Sequence, residues 1–152
     1  MCPVSRVFIR KMSEPDLAEI LELAPLANPH AVKEEYRKHI IGVLKENPDF
    51  SFVAVKDGKV IGYVQAEVCG SRAVIEDIVV DRAYQGKGVG KHLLKRELQI
   101  LRRKNVRLVF AEVHYKCASA IPFYYKFGFR ISGFQQDYFG VGHDAIILKL
   151  EL

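Results

Sequence analysis

Three glycines spaced two residues apart, Gly86, Gly88 and Gly90, separate an apolar run from an amphipathic run in the stretch VIEDIVVDRAYQGKGVGKHLL, residues 74–94. Such a pattern indicates a strand that passes through a turn into a helix. The first N–H groups of a helix have no partner within it and lie at the positive end of its dipole. They bind anions well, and glycines let a pyrophosphate reach the backbone. The pattern predicts a phosphate site, with an ordinary glycine-rich turn as the alternative.

The spacing of these glycines differs from that of the two common nucleotide-binding motifs. The second glycine is not followed by the Lys-Ser or Lys-Thr pair of a P-loop. The glycines also lack the spacing of the dinucleotide-binding motif. The sequence therefore disfavours both nucleotide-binding folds.

Hydrophobic periodicity predicts the elements that position this turn. Apolar runs predict strands at residues 6–12, 51–55, 60–68, 74–80 and 107–115, and two more in the tail, at 128–139 and 143–152. Helical spacing predicts helices after Ser13, at 31–46, from Val89 to near Asn105, and at 117–127. The order β-α-α-β-β-β-α-β-α-β-β predicts an α/β (α+β) fold with helices packed on a central sheet.

Length and composition limit the class of protein. With 152 residues, 49% of them apolar, the chain is predicted to form a single domain over residues 1–152. No apolar run reaches the roughly 18 residues of a membrane span, and the N-terminus lacks a signal peptide. We therefore expect a cytoplasmic protein with no membrane partner. The three cysteines have neither disulfide nor metal-ligand spacing, so no metal is expected.

The formal charge of +5 fits a nucleic-acid binder, a polyphosphate binder or a solvated surface. Four basic residues cluster at the end of one predicted helix, outside any helix-turn-helix or RNA-binding motif: Arg102, Arg103, Lys104 and Arg107. The sequence therefore predicts no nucleic-acid partner.

Two motifs resemble the signatures of the GNAT family of N-acetyltransferases. The acetyl-CoA-binding signature Q/R-x-x-G-x-G/A is matched by Gln85, Gly88 and Gly90. A second signature, N-x-x-A-x-x-φ-Y-x-x-x-G-F with φ apolar, is matched by Ala120, Phe123, Tyr124, Gly128 and Phe129. The element order also resembles the family fold over almost the full chain. The resemblance implies a mixed, mostly antiparallel twisted sheet of about seven strands, splayed between the fourth and fifth, with about four helices on both faces.

The resemblance implies acetyl-CoA as the cosubstrate. The backbone amides from Gly86 to Lys91 would hold the CoA pyrophosphate, and the pantetheine arm would lie along the preceding strand. The residues that the resemblance places at the cofactor are Ile78, Val79, Val80, Gln85, Gly86, Lys87, Gly88, Val89, Gly90, Lys91, Cys117 and Tyr124.

Cys117 departs from the family pattern, because the family usually has an asparagine there that contacts the cofactor arm. A thiol at a helix N-terminus can have a lowered pKa. An acyl-cysteine route is therefore an alternative to a simple small replacement for the asparagine.

Acetyl transfer from a thioester to an amine needs a base and an acid. Tyr124 is at the position of the family's usual general acid, with a core tyrosine as the alternative. Glu112 lies on a strand that should be buried, so it needs a partner or a raised pKa, and it resembles the base of the ribosomal-protein N-terminal acetyltransferases. Glu76 is the rival, since its strand also resembles the glucosamine-phosphate and polyamine branches of the family. A water chain is a third possibility.

The acceptor is expected to contact the loop between the first two helices, at Asn28, and the C-terminal hairpin, at Tyr138, with Glu76 and His114 nearby. The hairpin resembles that of Rim-like protein N-terminal acetyltransferases. The resemblance implies direct transfer, in a ternary complex, to a protein or peptide N-terminal α-amine. A small amine, such as an amino sugar or polyamine, and a non-catalytic CoA-binding regulatory module are the alternatives. We expect a monomer or a homodimer.

Overall fold

The computed structural model of the chain describes residues 6–27 and 32–152. A seven-stranded sheet in the order β1-β2-β3-β4-β5-β7-β6 forms its centre. The strands are β1 (Phe8–Lys11), β2 (Ser51–Lys56), β3 (Lys59–Cys69), β4 (Arg72–Val80), β5 (Leu108–His114), β6 (Arg130–Gln135) and β7 (Ala145–Glu151). The α-helices are α1 (Leu17–Leu23), α2 (Lys33–Glu46), α3 (Val89–Arg103) and α4 (Ile121–Tyr125). The predicted order of elements is confirmed.

In the sheet that the described residues form, only one pair of neighbouring strands is parallel, and it is the pair that opens. β4 pairs with β5 from Arg72–Leu108 to Ile75–Ala111, whereas all other neighbours pair antiparallel. The ladder ends there, although β4 continues to Val80 and β5 to His114. The predicted splay between the fourth and fifth strands is therefore confirmed.

Helices cover both faces of the sheet, as predicted. On one face the apolar stripe of α3 packs against the strands, and the buried side chains include Leu93, Leu94 and Leu98. On the other face Ile20 of α1 and Ile40 of α2 pack with Tyr63 of β3. Among the residues that the structure describes, no helix combines the length and apolar character needed to cross a bilayer.

A β-bulge at Glu76 reverses the faces of the sheet to which the later side chains of β4 point. Asp77 pairs with Gln65 and Ile75 pairs with Ala66, so Glu76 is an extra residue opposite β3. Residues 75 and 79 would share a face of a regular strand because side chains alternate. Instead, Ile75 packs in the α3 layer and Val79 packs in the α1 and α2 layer. The bulge has therefore reversed the alternation for the second half of β4.

Two predicted elements differ from the structure. The helix predicted at 117–127 is a 3-10 segment, Tyr115–Ala120, followed by the five-residue α4. Cys117 has non-helical angles (φ −101°, ψ 23°), and Pro122 lies in the first turn of α4, where a residue without an N–H group is tolerated.

The strand predicted at 128–139 is shorter, because β6 ends at Gln135. Residues 136–144 form a loop, called here the hairpin loop. Its turn is closed by the Asp137 carboxylate, which accepts from the N–H of Gly142 at 2.6 Å, and by Asp144, which accepts from the N–H of Asp137 at 2.8 Å. Local carboxylate bonds of this kind favour a turn over a continued strand.

Glu97 is a fully buried acid on the apolar face of α3. It is 0% exposed, and neither carboxyl oxygen has a hydrogen-bond partner among the described residues. Burial raises the pKa of Glu97 well above its ordinary value. A carboxyl group in this setting is held in its neutral form, and its unmet hydrogen bonds cost stability.

We predict that Glu97→Leu stabilises the fold by about 1–3 kcal/mol, because it removes an unpartnered polar group at similar volume. The gain grows as the pH rises above about 4.3, the ordinary Glu pKa, since the unfolded chain then loses a proton that the folded chain keeps. Urea unfolding at pH 5 and pH 8 measures both effects. Glu22→Leu, at a side chain 78% exposed, is the control and should change stability little. A less stable Glu97→Leu variant contradicts the prediction.

Candidate active site

The opening between β4 and β5 brings two predicted carboxylates to the same place. Glu76 directly follows Ile75, the last residue of β4 that pairs with β5, and Glu112 directly follows its partner Ala111. Beyond this point the edge of β4 that carries Ile78 and Val80 faces the opening instead of β5. An extended ligand can pair with such an edge as a strand would.

The glycine turn lies at the end of β4 and presents backbone to the surface. Gly86 (φ 74°) and Gly88 (φ 86°) adopt left-handed angles, and a Cβ added at either would meet no atom within 4 Å. Gly88 is the N-cap of α3, and no side chain caps this helix. The N–H groups of the first turn of α3 are therefore the donors here. This donor set and the open space fit a phosphate group.

The turn is tied to the strand and to α4. Gln85 donates from Nε2 to the carbonyl oxygen of Val80 at 2.9 Å. A Cβ on Gly90 would lie 3.6–3.7 Å from Val80 and Phe123, so α3 begins close to both. The Lys87 ammonium lies 5.7 Å from the Tyr84 ring, and Lys91 is exposed. Val79 and Val89 are buried in the core, so their side chains are not at the surface of the site.

Tyr124 lies on α4, on the α3 side of the sheet. The residue is 7% exposed, and its ring packs edge-on against Phe123 and Phe129. Burial, and next the negative charge of Asp77, raise the pKa of Tyr124 far above its ordinary value. The phenol therefore keeps its proton. Cys117, by contrast, is exposed at the kink before α4.

Glu112 lies on the opposite face of β5 from the buried Ala111 and Val113. The hydroxyl of Tyr138, in the hairpin loop, donates to Glu112 Oε2 at 2.6 Å. Burial raises the pKa of Glu112, the bond from Tyr138 lowers it, and the charge of Glu76 raises it; the net direction is upward. A carboxylate with a raised pKa is better suited to take up a proton near neutral pH.

Glu76 has the opposite electrostatic setting. His39 of α2 lies with Nε2 at 3.4 Å from Glu76 Oε2. This contact lowers the pKa of Glu76 against the effect of burial, and it raises the pKa of His39. The exposed Glu67 of β3 contacts Glu76 as well, and that contact raises the pKa of Glu67. Glu76 is thus held as the charged partner of a histidine.

Asp77 is a third acid at the opening, and no pattern in the sequence singled it out. The Tyr36 hydroxyl of α2 donates to Asp77 Oδ2, and the Tyr63 hydroxyl of β3 lies 3.5 Å from the same oxygen. Burial raises the pKa of Asp77 to about 6. In a strand with regular alternation, the Asp77 side chain would point away from α2. The contact between Asp77 and Tyr36 therefore exists only because of the bulge. The sequence carried no signal for the contacts of Tyr36 and His39 either.

The residues predicted at the acceptor side are partly brought together. Tyr138 contacts Glu112, as described, and His114 follows on the same strand. His114 Nε2 lies 2.9 Å from His143 Nδ1, and His114 Nδ1 accepts from the N–H of Lys116 at 3.1 Å, which assigns the donor role to Nε2. The hairpin loop is thereby held against the end of β5. Asn28 lies outside the described residues.

Sequence relatives of the chain are acetyltransferases. The profile described as the Acetyltransferase (GNAT) family matches residues 15–129. An uncharacterized N-acetyltransferase of Methanocaldococcus jannaschii is 30% identical over 144 residues, covering 93% of this chain and 90% of the relative. A [ribosomal protein bS18]-alanine N-acetyltransferase of Escherichia coli is 29% identical, covering 67% and 71%. A glucosamine 6-phosphate N-acetyltransferase of Trypanosoma brucei brucei is 30% identical, covering 80% and 88%.

A solved structure described as Ard1 from Thermoplasma volcanium superposes with a TM-score of 0.88 at 24% identity, covering 96% of this chain and 97% of the other. At this identity the likeness shows a common fold. The family profile spans most of the chain. The open seven-stranded sheet and the four α-helices of the described residues fit the same family. The chain therefore belongs to the GNAT family and is an N-acetyltransferase.

Proposed function

We propose that the protein transfers the acetyl group of acetyl-CoA directly to the α-amine at the N-terminus of a protein or peptide. The observation that carries the proposal is the opening between β4 and β5, which has Tyr124 on one face of the sheet and the Tyr138–Glu112 pair on the other. A thioester lying in the opening meets an acid from one side and a base with the acceptor from the other.

Acetyl-CoA supplies the activated acetyl group. Gly86, Gly88 and the first turn of α3 hold its pyrophosphate, because their donors are not capped by a side chain. The β4 edge at Ile78 and Val80 holds the pantetheine arm. Cys117 lies at the surface beside α4 and takes the place of the family's asparagine near this arm.

Glu112 is the base of the proposed reaction. It accepts the proton that the acceptor nitrogen loses as the N–C bond forms, and Tyr138 holds its carboxylate in place. The α-ammonium has a pKa of about 8, so it loses its first proton to solvent near neutral pH and the neutral amine attacks. Glu112 takes only the proton that this amine loses as the bond forms. Glu76 is less suited to this role because its pairing with His39 lowers its pKa.

Tyr124 is the acid of the proposed reaction. Its phenol gives its proton to the thiolate as the carbon–sulfur bond breaks, and its raised pKa keeps it protonated beforehand. Atoms and charge balance, because the amine proton goes to Glu112 and the phenol proton goes to CoA. Ionised Tyr124 then regains a proton from solvent, and protonated Glu112 gives its proton to solvent.

Two observations bear on the acceptor. Tyr138 extends the site onto the exposed hairpin loop, which suits an acceptor that continues beyond its amine, and one relative is named for the alanine of a ribosomal protein. The second candidate is a small amine, since another relative is named for glucosamine 6-phosphate. The acidic stretch of β4 at Glu76 and Asp77 suits that acceptor equally.

A panel of acceptors separates these candidates. We expect CoA-thiol release from acetyl-CoA with peptides that have a free N-terminal alanine, and none after that amine is blocked. Glucosamine 6-phosphate, spermidine and lysine peptides with blocked N-termini are the comparison acceptors. Release with a small amine alone supports the second candidate. Acetyl-CoA binding without release for any acceptor supports a non-catalytic module.

Loss of the acid or the base should lower the rate without loss of cosubstrate binding. We expect Tyr124→Phe and Glu112→Gln each to lower kcat by roughly 10²–10⁴, the usual contribution of acid–base catalysis. Calorimetry should give the wild-type Kd for acetyl-CoA. Tyr125→Phe is the control, because this neighbouring side chain is exposed. An unchanged kcat in either test variant removes that residue from the mechanism.

The pH profile should report the hydrogen bond between Tyr138 and Glu112. A base must be deprotonated, so kcat/KM falls on the acid side below the pKa of Glu112, which burial raises. The bond from Tyr138 lowers that pKa, so Tyr138→Phe should move the acidic limb to higher pH. An acidic limb at the same pH in the wild type and in Tyr138→Phe would show that a group other than Glu112 controls it. Glu112→Gln should remove the part of the limb that belongs to the enzyme and leave the fall caused by protonation of the acceptor amine, whose pKa is about 8.

A further inference from the structure

The N-terminal half of α2 is joined to β4 by two side-chain contacts. Tyr36 donates to Asp77, and His39 lies 3.4 Å from Glu76. Tyr36 and His39 are three residues apart and share one face of the helix. Two adjacent acids on one strand thus meet two neighbouring side chains on one helix.

The β-bulge makes both contacts possible. In a regular strand, Glu76 and Asp77 would point to opposite faces of the sheet. Because Glu76 is the extra residue of the bulge, Asp77 and the later Val79 turn to the α2 layer, and Glu76 faces it as well. Without the bulge, Asp77 would point into the α3 layer.

Tyr36 is the main anchor of this part of α2. It is the only residue of the range 33–39 that is not exposed. Further along the helix, the buried Ile40 and Val43 hold the C-terminal half, and the Gln65 amide donates to the Ile40 carbonyl at 3.1 Å. Tyr36 therefore holds the N-terminal half in two ways, through its bond to Asp77 and through its ring, which packs against the core.

This half of α2 lies beside the opening, on the acceptor face of the sheet. Glu76 and Glu112 directly follow Ile75 and Ala111, the last residues that pair between β4 and β5. Glu76 contacts His39 of α2, and Glu112 lies on the face of β5 opposite to Ala111, which packs in the α3 layer, so both carboxylates lie on the α2 face of the sheet. The hairpin loop contributes Tyr138 from one side. α2 reaches the same space at His39 and Tyr36.

We infer that Asp77 and Tyr36 are positioning residues that hold α2 as a wall of the acceptor site, and thereby set the affinity for the acceptor. Neither residue takes part in bond making. The inference rests on the proposed transfer to an amine, because it assigns the wall to the acceptor rather than to acetyl-CoA. The glycine turn and the β4 edge serve the cosubstrate and do not involve α2.

Tyr36→Phe is the direct test, since it removes one hydroxyl and keeps the ring. With a free N-terminal alanine peptide as the acceptor, we expect the acceptor KM to rise roughly tenfold, the usual effect of losing a hydrogen bond to a charged group. The acetyl-CoA KM and kcat should stay within about twofold. Tyr125→Phe is the matched control and should change none of the three. If the alanine peptide is inactive, glucosamine 6-phosphate is used.

Substitutions of Asp77 separate positioning from catalysis. Asp77→Asn keeps an oxygen that accepts from Tyr36, so its acceptor KM should lie between those of the wild type and Asp77→Ala. A large fall in kcat for Asp77→Asn, with the acceptor KM unchanged, would show that Asp77 is itself a base and would overturn the inference. Equal changes in the KM for the acceptor and the KM for acetyl-CoA would also overturn the inference, because they indicate a general loss of structure.

Hydrogen exchange tests the anchor without any turnover. We expect Tyr36→Phe to speed exchange at the amides of residues 36–40 at least severalfold, while the amides of α3 stay protected. Unchanged exchange at residues 36–40 overturns the inference. If the wild type shows no turnover with any acceptor, the proposed function fails, and the exchange result still decides whether Tyr36 fixes α2.

Discussion

The end of the β4–β5 ladder is the constraint on which the site depends. Strands inside a sheet normally have both edges paired, because unpaired backbone groups are costly to bury. Here two central strands pair over only four residues each and then separate. The opening gives a ligand access to the middle of the sheet. It also separates Tyr124, on one face, from the carboxylates on the other, which is the arrangement that the proposed reaction requires.

The bulge at Glu76 adds to this opening. A bulge increases local twist and bends its strand, which is consistent with the divergence of β4 from β5 at the same residue. It also turns Asp77 toward α2. One inserted residue therefore affects the course of the strand, the direction of two acids and the contact with a helix.

Four acids in the molecule show how surroundings decide the state of a carboxyl group. The pKa of Glu76 is lowered by a nearby histidine, whereas burial raises the pKa of Glu112, Asp77 and Glu97. Separated pKa values at one site allow similar groups to have different roles. Asp77 and Glu97 differ in another respect. Asp77 accepts from tyrosine hydroxyls, whereas Glu97 has no hydrogen-bond partner among the residues described.

Local patterns in the sequence were sufficient for the order of the elements, the glycine turn and the family, but not for the extent of the helix at 117–127 or the strand at 128–139. Helices and strands follow from periodicity, and the φ angles of Gly86 and Gly88 agree with a turn that needs glycine. The splay was implied by the resemblance, and Glu76, Glu112, Tyr124 and Tyr138 were each singled out as candidates. The sequence did not predict the contact between Tyr138 and Glu112, although both residues were named.

Only the tertiary structure decided which of these residues meet, and with what charge. The bulge depends on the register between β3 and β4, and a shift of one residue reverses every later side chain. Tyr36 and Asp77 are 41 residues apart in the chain, so no local pattern relates them. The pKa values of Glu76 and Glu112 differ because of a histidine on α2 and the burial of β5. Local sequence determines the elements through backbone preference and periodicity, whereas contacts between distant residues arise only when those elements pack.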